Sequence, residues 1–205
     1  MHVCSVSAEA PLKKQLFHAH AAFSVVRLAG EVLAMALAAD WFLRSPRIPQ
    51  NPAYHSYAGD WRTLLGIPHG ANVLSSLPVA VPGLAGLAHH CCTRPWGMSV
   101  AEVASWAVSF VGMASVGLTS SIYHISPGMD TLVYDRLSIA VSFTALVAAL
   151  LAQRRSAAAG AVALPLLVAA GAGSVLYWGA SEAAGRGDLR PYVLTQAGSG
   201  EGAAR

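Results

Sequence analysis

Near the middle of the 205-residue sequence, three residues of types that do chemistry fall close together. They are Ser120, His124 and Asp135, in the stretch S-S-I-Y-H-I-S-P-G-M-D-T-L-V-Y-D-R from Ser120 to Arg136. Ser120 and His124 are four apart, so a helix puts them on one face about a turn from each other. Asp135 follows His124 by eleven residues, beyond a turn at Pro127-Gly128. Two helices joined by that turn bring a hydroxyl, an imidazole and a carboxylate to one end of a bundle. A hydroxyl there suits donation to an oxyanion forming at a carbonyl. Each residue also has a plainer explanation. His124 is then an interfacial histidine beside Tyr123, Ser120 a small residue at a helix contact, and Asp135 the local partner of Arg136.

The composition says what kind of helices these are. The chain is 55% hydrophobic and 11% charged, with a mean hydropathy of +0.50, whereas a globular domain carries about 25% charged residues. A membrane protein is expected. The formal charge of +3 reflects no basic cluster with interleaved aromatics, so nucleic acid is set aside as a partner. Cys4, Cys91 and Cys92 are odd in number and two are adjacent, which does not make a disulfide framework.

Five apolar runs follow one another. Phe17 to Leu43 exceeds the roughly 20 residues that cross a bilayer and carries Arg27 and Glu31, spaced to pair along one face. Residues 44–70 are rich in proline and aromatics and read as a loop, with Tyr57 and Trp61 suited to the headgroup layer. Asn72 to Ala88 is a shorter run containing Pro78 and Pro82. His89, His90, Cys91, Cys92 and Arg94 then read as a compact turn. Ser99 to Tyr123 opens with a Ser-x-x-Glu capping pattern at Ser99 and Glu102 and carries small residues at Gly112, Ala114, Ser115 and Gly117, suited to close helix packing. Leu132 to Ala152 and Ala158 to Ala180 complete the five. Tyr192 to Gln196 opens a sixth helix, followed by a Gly/Ser/Ala stretch, 197–205, read as a flexible tail. The expected fold is therefore an all-α polytopic bundle, one domain over 1–196. By alternation, 44–70, 123–131 and 181–191 share one side of the membrane. Lys and Arg occur on both sides, so the charge rule discriminates weakly, and it leans toward a cytoplasmic N-terminus.

These residues resemble those of the alkaline ceramidase family, within a wider group of seven-helix membrane metal-dependent hydrolases. The resemblance rests on Ser120-x-x-x-His124 with Asp135 eleven residues on, and on the flanking text I-P-Q-N-P-A-Y-H-S-Y-A-G-D at 48–60, R-T-L-L-G-I-P-H-G-A-N-V-L-S-S-L-P at 62–78 and G-D-L-R-P-Y-V-L-T-Q at 187–196. These flanks look like the bacterial branch, which implies a bacterial inner membrane. The resemblance implies a zinc-dependent hydrolase that cleaves the amide of a ceramide-like N-acyl lipid to a fatty acid and an amine. It implies His124 as a zinc ligand, Ser120 as an oxyanion donor beside the metal and Asp135 as the general base on the zinc-bound water.

The family's other two zinc ligands are histidines on its last membrane helix, and no histidine follows His124 in this sequence. The chain is thus expected to be incomplete as a zinc enzyme, with little activity by itself. His55 and His69, on the same side as His124, are the alternative ligands if the 44–70 loop folds over the site. Asp60-Trp61 matches part of the eukaryotic branch's calcium site, but the acidic residues that should follow are replaced, so calcium is not carried over. His89 to Cys92 lack zinc-ligand spacing. The other function considered is a non-catalytic or receptor-like bundle on the same scaffold.

Overall fold

The computed structural model describes residues 30, 33–56, 62–93 and 97–204, with side chains to residue 197. The chain divides into two compact units, Met1–Pro46 and Arg47–Arg205. In the first, residues 33–44 form helix α1, where Arg44 and Asp40 make an exposed ion pair one turn apart at 2.7 Å. The rest of the first apolar run, with the expected Arg27–Glu31 pair, lies outside the described residues, as do Cys4, Tyr57, Asp60, Trp61 and Arg94.

The second unit holds α2 (Gly70–Thr93), α3 (Val100–Ile125), α4 (Met129–Arg154), α5 (Ala157–Ala183) and α6 (Arg190–Ala204). No strand occurs among the described residues; a lone bridge pairs Leu64 with Ile67. Helices α2 to α5 are each long and apolar enough to cross a membrane. The fold is an all-α bundle with the make-up of a multi-pass integral membrane protein.

Local chemistry sets the helix ends. Ser99 caps α3, its hydroxyl accepting from the Glu102 N–H at 3.2 Å, and Ser156 caps α5 by accepting from the Ala159 N–H at 3.1 Å. Pro78 lacks an N–H, and α2 tightens there to a 3₁₀ turn over Leu77–Val79 before resuming. Two expectations are corrected. His89 to Cys92 form no turn; they are the last turns of α2, which runs to Thr93, where Thr93 bonds back to the His89 carbonyl at 2.7 Å. The stretch after Gln196, read as a flexible tail, continues α6 to Ala204. A helix already nucleated at Arg190 extends without a new nucleation cost, even across Gly198, Gly200 and Gly202, which disfavour it.

Helix α4 is the centre. It packs against α3, α5 and α6, and 56% of its most apolar stretch is buried inside the bundle, against 17%, 28% and 22% for α2, α3 and α5. Its buried positions are mostly small, including Ser138, Ala140, Ser142, Thr144, Ala145 and Ala148. Small residues let backbones close in where lipid gives helices no hydrophobic reason to associate. A Cβ on Gly112 of α3 would stand 2.8 Å from the Ser142 Cα, and one on Gly160 of α5 would stand 2.8 Å from the Ala152 Cα. At the first crossing two hydroxyls trade carbonyls: Ser109 Oγ donates to the Ser142 carbonyl at 3.0 Å, and Ser142 Oγ to the Ser109 carbonyl at 3.1 Å.

Gly112→Val should therefore force α3 from α4 and destabilise the bundle by about 1–3 kcal/mol. Gly173→Ala, where a Cβ meets nothing within 4 Å, should leave stability unchanged or slightly raised. Thermal unfolding of both variants in one detergent checks the contrast.

Candidate functional site

The hairpin of α3 and α4 delivers Ser120 and Asp135 to each other. The Ser120 hydroxyl stands close enough to the Asp135 carboxylate to act on its charge. Asp135 is buried and Ser120 half-buried. From α2, the Ser76 hydroxyl donates to the Asn72 carbonyl at 2.8 Å and also reaches Ser120 Oγ at 3.3 Å. One turn further along α4, Ser138 lies 2.7 Å from Thr119 of α3. The seam between these helices is thus a ladder of hydroxyls with one carboxylate, one oxygen of which, Oδ1, is buried without a hydrogen-bond partner.

His124 sits a turn beyond Ser120, half-buried, with its ring centroid 5.4 Å from that of Tyr123. The proline-rich segment does fold over this end. It places His55 Nδ1 3.2 Å from the Tyr123 hydroxyl and stacks Tyr54 on the Tyr123 ring at 6.4 Å. Backbone bonds tie the same segment down: the Gln50 N–H donates to Glu182 Oε1 at 2.7 Å, and the Leu189 N–H to the Ile48 carbonyl at 2.8 Å. His69, the other alternative ligand, stands just before α2 in a left-handed conformation (φ 49°).

Arg136, one residue after Asp135, is the feature the sequence left as a mere partner. Its guanidinium carbon lies 4.2 Å from the Trp178 ring centroid, 5.1 Å from that of Tyr192 and 5.5 Å from that of Tyr54. A buried cation is stabilised by aromatic faces that need no desolvation of their own. Trp178 is held in turn by its indole N–H donating to Glu182 Oε1 at 3.1 Å. Nη1 of Arg136, like Oδ1 of Asp135, is buried without a hydrogen-bond partner. Arginine inside an apolar run is itself a warning of function, and that signal was available from the sequence. Ser76 and the aromatic cage come from distant segments and carried none.

The zinc implied by the resemblance does not fit what is gathered here. Among the described residues no three His, Cys, Asp or Glu side chains come together as a metal site. His124 offers one imidazole, and His55 turns its Nδ1 to Tyr123. No family model, curated protein or solved structure matches the chain.

Beneath the cage, Asp188 anchors the loop into α6. Arg190 bonds its two carboxylate oxygens at 2.7 Å each, and the Tyr177 hydroxyl donates to it at 3.3 Å. The Arg190 guanidinium holds the Asp188 carboxyl below the usual carboxylate range, against the opposing effect of burial. A lowered folded-state value means stabilisation that is complete above the unfolded value, about 3.9, and lost as pH falls through the folded one. Asp188→Asn should lower the melting temperature at neutral pH, with the gap to wild type closing as pH is taken below about 4. Melting curves across that range test this; a constant gap would contradict it.

Proposed function

We propose that the protein is an integral-membrane amide hydrolase resembling the alkaline ceramidases, acting on a ceramide-like N-acyl lipid, in a bacterial inner membrane. The observation that carries the proposal is the placement of Ser120 beside the buried Asp135 carboxylate across the α3–α4 seam, at a membrane-helix end, with His124 one turn away. A carboxylate buried among apolar helices is costly to keep. A proton-transfer role accounts for its retention better than packing does.

The residues present suit a direct reaction. Asp135 takes a proton from water as the water oxygen bonds to the amide carbon. Ser120, steadied by Ser76, donates a hydrogen bond to the carbonyl oxygen as negative charge grows there. Asp135 then returns the proton to the amide nitrogen as the C–N bond breaks, giving a fatty acid and an amine. No step is assigned to zinc, because the described residues do not assemble its ligands. A cleft of about 630 Å³ between α4 and α5, lined by Met129, Val133, Tyr134, Leu137 and Leu176, opens on the next face of the α4 turns that carry Asp135. Its mostly apolar lining, with Asp130 and Glu182 as the acidic exceptions, suits an acyl chain.

The test is hydrolysis of a fluorescent N-acyl lipid in membranes of cells that make the protein, comparing wild type with Asp135→Asn and Ser120→Ala at matched protein levels. Asp135→Asn should abolish most turnover, and Ser120→Ala should cost about 10²–10³ in rate. Turnover that is absent, or equal in wild type and both variants, contradicts the proposal and favours a ligand-binding bundle on the same scaffold.

A further inference from the structure

A second polar site lies at the other end of the same helices. The Ser-x-x-Glu pattern that starts α3 ordinarily makes two bonds, the second returning from the Glu carboxylate to the cap residue's N–H. Here only the first is made: Ser99 accepts from the Glu102 N–H. The Glu102 side chain has no hydrogen bond or ion pair within the described structure, and the residue is only 8% exposed. It lines a cleft of about 310 Å³ together with His90, Met98, Trp106, Phe110 and Gln153. His90 Nε2 is buried there with no hydrogen-bond partner.

The remaining wall is aromatic. Trp106 and Phe110 stack at 5.5 Å between centroids, and the His90 ring meets Phe110 edge-on at 5.9 Å. Gly86 of α2 provides the seat for Phe110, since a Cβ there would stand 2.4 Å from its ring. Eighteen residues of α3 separate Glu102 from Ser120, about 27 Å along the axis. The cleft is therefore a different site from the proposed catalytic one, at the level of the opposite headgroup layer.

We infer that this cleft binds the primary ammonium of a membrane amphiphile. Glu102 is a mostly buried acid with no cation beside it among the described residues, which is costly, and the neighbouring groups match an alkylammonium. Glu102 supplies the countercharge. His90 Nε2, in the tautomer protonated at Nδ1, accepts one N–H. The aromatic faces attract what remains of the positive charge. A divalent metal fits poorly, because one carboxylate and one imidazole do not complete its ligands. The amphiphile's chain would lie along the exposed apolar side chains of α2, among them Val81 and Leu84.

The experiment measures equilibrium binding of radiolabelled dodecylamine to the full chain in phosphatidylcholine nanodiscs, with N-acetyldodecylamine and dodecyltrimethylammonium as controls. Saturable binding of one amine per chain is expected, with the acetylated compound not bound and the trimethyl compound weaker for want of N–H donors. Glu102→Gln should weaken amine binding roughly tenfold or more, and Trp106→Leu a few-fold. Glu102→Asp keeps the charge and should retain part of the binding; it also serves if the Gln variant does not fold. Replacing part of the phosphatidylcholine by phosphatidylethanolamine separates two sources of the same chemistry: displacement of the amine assigns the site to a lipid headgroup, and no displacement to free long-chain amines. Equal binding of dodecylamine and its acetyl derivative, or undiminished binding by a folded Glu102→Gln, would overturn the inference.

Discussion

Two adjacent charged residues, Asp135 and Arg136, are buried in the most enclosed helix of an apolar bundle, and much of the architecture around them is explained by the need to accommodate them. Removing either charge from water costs several kcal/mol unless partners compensate. The two are compensated differently because successive helical positions point about 100° apart. Asp135 faces the α3 seam, beside the Ser120 hydroxyl, which in turn accepts from Ser76. Arg136 faces the rings of Trp178, Tyr192 and Tyr54. Glu182 then fixes Trp178 and takes the Gln50 N–H. One buried pair thus organises contributions from α2, α3, α5, α6 and the proline-rich segment.

That accommodation is possible because the rest of α4 demands so little space. With alanine, serine and threonine at its buried positions, α3 and α5 approach until Gly112 and Gly160 leave no room for a Cβ. Close backbones bring short hydroxyls within reach of carbonyls, as in the exchanged Ser109–Ser142 bonds. Near the start of α4 the same closeness places Ser120 against Asp135. The close packing that lets α3 and α4 exchange hydroxyl bonds is thus the same that sets Ser120 beside Asp135.

What the sequence made legible follows from periodicity. Long apolar runs gave the helices, and four-residue and eleven-residue spacings across one turn gave the Ser120–Asp135 meeting, because both are local properties of a helical hairpin. Alternation put 44–70, 123–131 and 181–191 at one end, where Tyr54, Tyr123 and Glu182 now stand together with their neighbours. Partners brought in by tertiary packing were not legible. Nothing near Trp178 marks it as a seat for a guanidinium, and Ser76 looks like any other small residue in a membrane helix. The polar composition of His89 to Cys92 suggested a turn, but composition does not stop a helix whose backbone bonds can continue. The unreturned capping bond of Glu102 could not be read either, since the pattern is the same whichever way the carboxylate points.

The central claim is that Asp135 and Arg136 act as one buried unit rather than as two independent polar residues. A double-mutant cycle of Asp135→Asn, Arg136→Met and the pair, read by reversible unfolding in detergent, tests it directly. The two make no ion pair and are coupled through space, so each single variant should destabilise the bundle by leaving the opposite charge alone in it. The double variant should cost less than the sum of the singles by about 1 kcal/mol or more, beyond the 0.3–0.5 kcal/mol scatter of independent sites. Additive losses would contradict the account, leaving the aromatic cage and the hydroxyl ladder as separate features that merely share a helix.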